Sequence, residues 1–157
     1  MPDEAGRIKP LAFVVCDDIR REITGKDIYI GVYTADVVVP QLPFDLPMAI
    51  ALLCEPIQIG KASLYMEIIP PGSPGHFAVT LDVDATLTNP SEDTASQNLS
   101  IVLGGIPMKI AQEGDIVLKV RHVGLEKWEL VRRISVKRGI PPGPQVPTVA
   151  PIASSLA

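Results

Sequence analysis

Aromatic side chains are scarce in this 157-residue chain: three phenylalanines, three tyrosines and one tryptophan, 4% in all. Sandwich domains that hold sugars on stacked rings present several such platforms, so a lone Trp128 on an apolar strand face reads as core. Histidine and cysteine are as thin, with two of each. His76 and His122 stand at no metal-ligand spacing from a cysteine, a glutamate or each other, and both read as surface residues. Cys16 and Cys54 sit inside apolar, strand-like runs and read as small buried hydrophobes. A disulfide between them is the lesser reading, because nothing points to an oxidising compartment. An excess of positive charge is missing too. Fourteen Lys and Arg face 18 Asp and Glu, for a net charge of -4 and a pI near 5.1. That balance argues against a nucleic-acid partner, whose phosphates need clustered cations. No run is long enough to span a bilayer as a helix; Leu46–Cys54, the longest charge-free apolar stretch near the middle, is far too short. The start Met1-Pro2-Asp3-Glu4 has neither the basic region nor the apolar region of a secretory leader, so a cytoplasmic location and no membrane partner are expected.

What is present is an apolar chain. Hydrophobic residues make up 46% and mean hydropathy is +0.27, too apolar for general disorder. The length suits one domain with its own core. Apolar residues recur at a period of two. Leu11–Cys16 reads as a buried strand. Asp17–Glu22 reads as further strand rather than a capped helical turn, because Thr24-Gly25-Lys26 then makes a hairpin turn into a return strand over Ile28–Tyr33. Pro40–Pro47 reads as an extended connection, since proline cannot donate to a central ladder. Met48–Cys54 and Ala62–Ile69 follow, then a Pro/Gly loop over 70–75. Phe77, Val79, Leu81 and Val83 alternate with polar or small residues, and so do Leu99, Ile101 and Leu103 ahead of Gly104-Gly105. The clearest hairpin comes last: Ile116, Leu118 and Val120, a turn at Gly124, then Trp128, Leu130, Ile134 and Val136, broken only by Arg132. No segment sustains a 3.6-residue period.

These signals predict an all-β domain, a two-sheet antiparallel sandwich of about eight strands over residues 8–138, with a partly open barrel as the alternative. Residues 1–7 read as a loose lead. Residues 139–157 hold five prolines, two glycines and no charge, and read as a disordered tail rather than a docking motif.

Residues 77–87 (FAVTLDVDATL) resemble the nucleophile motif of the haloacid dehalogenase superfamily of phosphotransferases. The resemblance would make Asp82 the nucleophile and Asp84 the acid/base beside a magnesium ion. Three features set it aside. Strand alternation alone puts both acids on a solvent face, no helical pattern follows, and no acidic cluster lies downstream. A calcium site from Asp17, Asp18, Asp82 and Asp84 fails on the absence of a ligand-bearing loop. Gly72-Ser73-Pro74-Gly75 is a turn with proline where a phosphate loop needs an N–H, and no Gly-x-Ser-x-Gly elbow occurs. No catalytic, cofactor or metal residue is therefore assigned.

Residues 11–33 (LAFVVCDDIRREITGKDIYIGVY), with the proline-bounded segment after them, resemble a family of small bacterial proteins classed as a domain of unknown function. The matching positions are Cys16, Asp17, Arg20, Glu22, Gly25, Lys26, Ile30, Gly31, Val32 and Tyr33. The resemblance covers about the first third of the chain. It implies an all-β fold and a cytoplasmic bacterial protein, and no activity. Asp17, Arg20, Glu22 and Lys26 collect near one hairpin end, where they would pair with one another or form a polar recognition patch.

The sequence therefore points to a non-catalytic protein-interaction or assembly module, as a homodimer or with another protein. The alternative is a small-ligand or carbohydrate-binding sandwich, with its site in the loops around Pro70–His76 and Asn89–Gln97.

Overall fold

Period-two alternation becomes strand wherever one face finds a core. In the computed structural model, which describes residues 6–72, 75–84, 99–140 and 143, every regular element is a strand. The strands are β1 (Arg7–Cys16), β2 (Asp18–Arg21), β3 (Asp27–Ile30), β4 (Val37–Val39), β5 (Phe44–Gln58), β6 (Lys61–Ile69), β7 (Phe77–Asp84), β8 (Leu99–Ile110), β9 (Gly114–His122) and β10 (Leu130–Arg138). A three-stranded sheet runs β1-β5-β8 and a five-stranded sheet runs β4-β10-β9-β6-β7. Strands β2 and β3 form a separate hairpin. The all-β expectation holds. No helix among the described residues is long and apolar enough to cross a membrane.

The two larger sheets share one core. Phe13, Val15, Met48, Ile50, Leu52 and Met108 come from the first sheet; Leu64, Met66, Ile68, Ile116, Leu118 and Ile134 come from the second. No polar or charged residue of the described set is fully buried. Alternation is strict in β6 and β9, where every inward side chain is buried. In β5 the run Met48–Leu52 is buried on both faces, because β2 packs on the side away from the core. Ala49 and Ala51 lie on that side, and their small side chains let the hairpin approach.

Three expectations need correction, and one element goes beyond them. Val37–Val39 is a strand, pairing parallel to β10 in an otherwise antiparallel architecture. The strand read at Leu99 does not stop at Gly104-Gly105. A register break there (Met48 faces Ile106, Ile50 faces Leu103) absorbs the two glycines as a bulge, and Gly105 takes φ 64°. Pro47 lies within β5, a central strand. It faces Pro107 of β8, a stretch that β1 does not reach, so its missing N–H costs no ladder bond. Trp128 is not core. It sits in the turn before β10, on the outer face of the five-stranded sheet, where its ring stacks on Tyr65 with centroids 6.2 Å apart. The predicted tail falls almost wholly outside the described residues.

Candidate functional site

A sandwich has sheet edges, and each edge offers unpaired N–H and C=O groups to another chain. How this molecule treats its edges is the most informative feature of its surface. The edge of β1 is capped at several of its groups. The Ile8 N–H donates to His122 Nε2 at 3.5 Å, and Pro10 has no N–H to offer. The Phe13 carbonyl accepts from the Arg132 guanidinium, and the Val15 carbonyl accepts from the Tyr33 N–H at 2.8 Å. Arg132 also donates to the Tyr33 carbonyl at 2.6 Å. That explains the charge between Leu130 and Ile134 on the inward row of β10: it is an edge cap. His122, expected on the surface, keeps only 14% of its side chain exposed. Its Nδ1 lies 2.5 Å from Glu129 Oε2.

The other edges are blunted differently. Strand β4 has three residues, and β2 and β3 have four each. Strand β8 is interrupted by its glycine bulge and then by Pro107. Strand β7 carries none of these devices. It has eight residues and pairs with β6 from Phe77 to Asp84 without a register shift. It contains no proline, no glycine and no lysine. Its inward row, Phe77, Val79, Leu81 and Val83, is only partly buried against the core. Among the described residues it is the longest uninterrupted edge.

Asp82 and Asp84 lie on the outer face of this strand. Asp82 accepts a hydrogen bond from Ser63 at 2.6 Å, its directly facing neighbour on β6. The strand carrying them is an antiparallel edge, whereas the nucleophile of the resembled superfamily stands on an α/β sheet with helical crossovers. Among the described residues no group of three or more His, Cys, Asp or Glu side chains is placed to hold a metal.

The four residues of the predicted recognition patch are spread along the β2–β3 hairpin. Asp17 sits at its base, where Tyr33 donates its hydroxyl hydrogen to Oδ1 and a Cβ on Gly31 would fall 2.2 Å from Oδ2. The Tyr33 hydroxyl also lies 2.9 Å from the Pro47 carbonyl, and burial followed by the Asp17 contact pushes its ionisation up beyond the usual phenol range. Arg20 pairs with Asp18 at 3.0 Å rather than with Asp17. Glu22 and Lys26 close the tip through their backbones, with Glu22 N–H donating to the Lys26 carbonyl at 2.8 Å. The Glu22 carboxylate accepts from Thr24. The four do not meet as one cluster.

The hairpin base borders a cleft of about 490 Å³, walled by Asp17 and Asp18, floored by Pro47 and Pro107, and ended by Asp45 and Lys109. Asp17 and Asp18 are already engaged by Tyr33 and Arg20, which leaves few convergent polar groups for a ligand. A smaller depression of about 300 Å³ lies beside His76, between Pro70, Phe77 and Pro107. Asn89–Gln97, the other half of the predicted ligand loops, lies outside the described residues. The Tyr65–Trp128 pair is likewise occupied: Lys119 Nζ lies 4.3 Å from the Trp128 ring centre and Arg121 lies 5.1 Å from both rings. Glu67 completes this outer patch, 3.2 Å from Lys119.

Sequence reasoning missed the edge because β6 and β7 alternate alike, and only topology decides which is central. The absence of proline, glycine and lysine from Phe77–Asp84 was the signal available. No family model and no curated protein matches the chain.

Proposed function

We propose that this protein is a non-catalytic assembly module that works by accepting an added strand along the outer edge of β7. One observation carries the reading: among the described residues β7 is the longest edge strand without a register shift, a proline, a glycine or a lysine. Strand addition uses main-chain hydrogen bonds for affinity and alternate side chains for specificity. The half-buried row Phe77, Val79, Leu81 and Val83 supplies apolar side chains that an added strand would cover. Two free, buried thiols support a reducing, cytoplasmic setting.

The test is binding of a fluorescent synthetic peptide with the sequence of Phe77–Asp84 to the full chain, followed by anisotropy. Saturable binding is expected, with loss of binding when the peptide is N-methylated on one set of alternating residues and not on the other. The absence of saturable binding, or equal binding by both methylated peptides, overturns the reading.

A further inference from the structure

We infer that the cleft between the start of β1 and the connection from β9 to β10 binds a small amphiphilic anion, an acidic head on an apolar body. No residue of β7 lines this cleft, so the inference stands apart from the strand-addition reading.

The cleft measures about 470 Å³, within the range of small-molecule sites. Its apolar part comes from Pro10, Ile57, Leu125 and Trp128. These side chains are open to a ligand: Ile57 keeps 56% of its surface exposed and Leu125 keeps 50%. Its charge comes from Arg7, Lys9, Lys127 and Glu129. The single acid is already engaged, with His122 Nδ1 2.5 Å from its carboxylate. None of the three cations pairs with a carboxylate among the described residues. Glu55 faces Lys9 across the ladder and Glu126 precedes Lys127, yet neither lines the cleft. A chain of net charge -4 thus gathers three unpaired cations around one apolar hollow. Charge complementarity calls for an anion, and the exposed Ile57 and Leu125 call for an apolar body beside it. The main chain makes no competing demand. The Ile8 N–H donates to His122 and Pro10 has none, so an added peptide strand finds no donor at these two positions. Side chains hold the ligand, which suits a small molecule rather than a strand.

Trp128 is the only tryptophan of the chain, so its emission reads the cleft directly. Decanoate, titrated into the full chain below its micellar range, should give a saturable change. Acetate, the head without the body, should not; nor should decyltrimethylammonium, the same body with the opposite charge. Arg7→Gln and Lys127→Gln should each weaken decanoate about two- to fivefold, as loss of an exposed ion pair does, and the double variant roughly tenfold. Lys26→Gln makes the same change in net charge at the β2–β3 turn, away from the cleft, and should bind as wild type. No saturable binding, equal binding of decanoate and the ammonium, or losses in the Arg7 and Lys127 variants no larger than in Lys26→Gln overturn the inference. Asp3 and Glu4 precede Arg7 in the chain and are the rival anions. Binding of decanoate only after Asp3→Asn and Glu4→Gln replacement assigns the cations to the chain's own acids and overturns a free ligand. Binding to vesicles of anionic phospholipid without binding of free decanoate makes the contact a membrane one and overturns the cleft.

Discussion

Replacing Arg132 by methionine is expected to cost about 3 kcal/mol, because it removes two hydrogen bonds from a charged donor. The guanidinium donates to the Phe13 and Tyr33 carbonyls, both part-buried at the seam between the sheets. A hydrogen bond from a charged donor contributes roughly 1.5–3 kcal/mol, so the pair is worth about 3–6 kcal/mol before relaxation. Methionine keeps most of the aliphatic stem in place, and water can reach the freed carbonyls once the seam loosens. The lower end of the range is therefore the expectation. Lysine has a compact ammonium in place of a planar fork and serves one carbonyl at most, so Arg132→Lys should lose about half as much. For a chain of this size each kcal/mol moves Tm by roughly 2–4 °C, which puts Arg132→Met about 6–12 °C below wild type. Arg133→Met, exposed on the other face of the same strand, is the control and should stay within about 0.5 kcal/mol. Urea titration followed by the single tryptophan reads all three. If Arg132→Met unfolds within about 0.5 kcal/mol of wild type, the cap contributes little and the account of the β1 edge is wrong.

Two further outcomes follow from local geometry. Burial pushes the Glu67 carboxyl up, but hydrogen bonds from Lys119 and Tyr65 and the Lys119 charge outweigh it and hold it below the usual glutamate value. A depressed folded-state pKa stabilises above the unfolded value and is lost as pH falls through the folded one. The stability gap between wild type and Glu67→Gln should thus be full above about pH 5 and close toward pH 3, read by urea midpoints across that range; a gap unchanged by pH refutes it. Gly31 takes φ 66°, and an added Cβ would meet the Asp17 carboxylate at 2.2 Å, whereas Gly25 takes φ 85° with open space around it. Gly25→Ala should cost about 1 kcal/mol for backbone strain alone, and Gly31→Ala measurably more because it also displaces Asp17 from Tyr33. Equal losses in thermal unfolding would mean that the Asp17–Tyr33 contact is not structural.

Strands with a clean alternation and a buried face were legible: Ala62–Ile69, Phe77–Val83, Ile116–Val120 and the last strand all stand where the period of two puts them. So was the hairpin turn at Thr24-Gly25-Lys26. The misreadings share a cause. Val37–Val39 is too short to show a period. The glycine pair at 104–105 and Pro47 obey local rules for ending strands, yet pairing partners elsewhere accommodate both, one as a bulge and one where no neighbour needs its N–H. Trp128 has the parity of the inward row, but the chain has not yet entered β10 when it passes, so parity does not apply. The candidate site was the least legible part, because being an edge is a relation between strands. Within Phe77–Asp84 the alternation reads the same as in a central strand.

The cap on β1 also sets an order of events. Its key donor lies 119 residues downstream of the carbonyl it covers. At roughly 5–20 residues per second, a ribosome needs about 6–24 s to deliver Arg132 after Phe13 has been made. For that interval the Phe13 carbonyl on the edge of β1 waits without its donor. Pairing with β5 protects one side early, but the other side waits for nearly the last strand. Such long-range closure slows folding and leaves nascent chains adhesive. The proline at position 10 is then more than a structural detail. It is the one part of the cap that is present from the moment the strand is synthesised, and it guards the edge through the seconds when His122 and Arg132 do not yet exist.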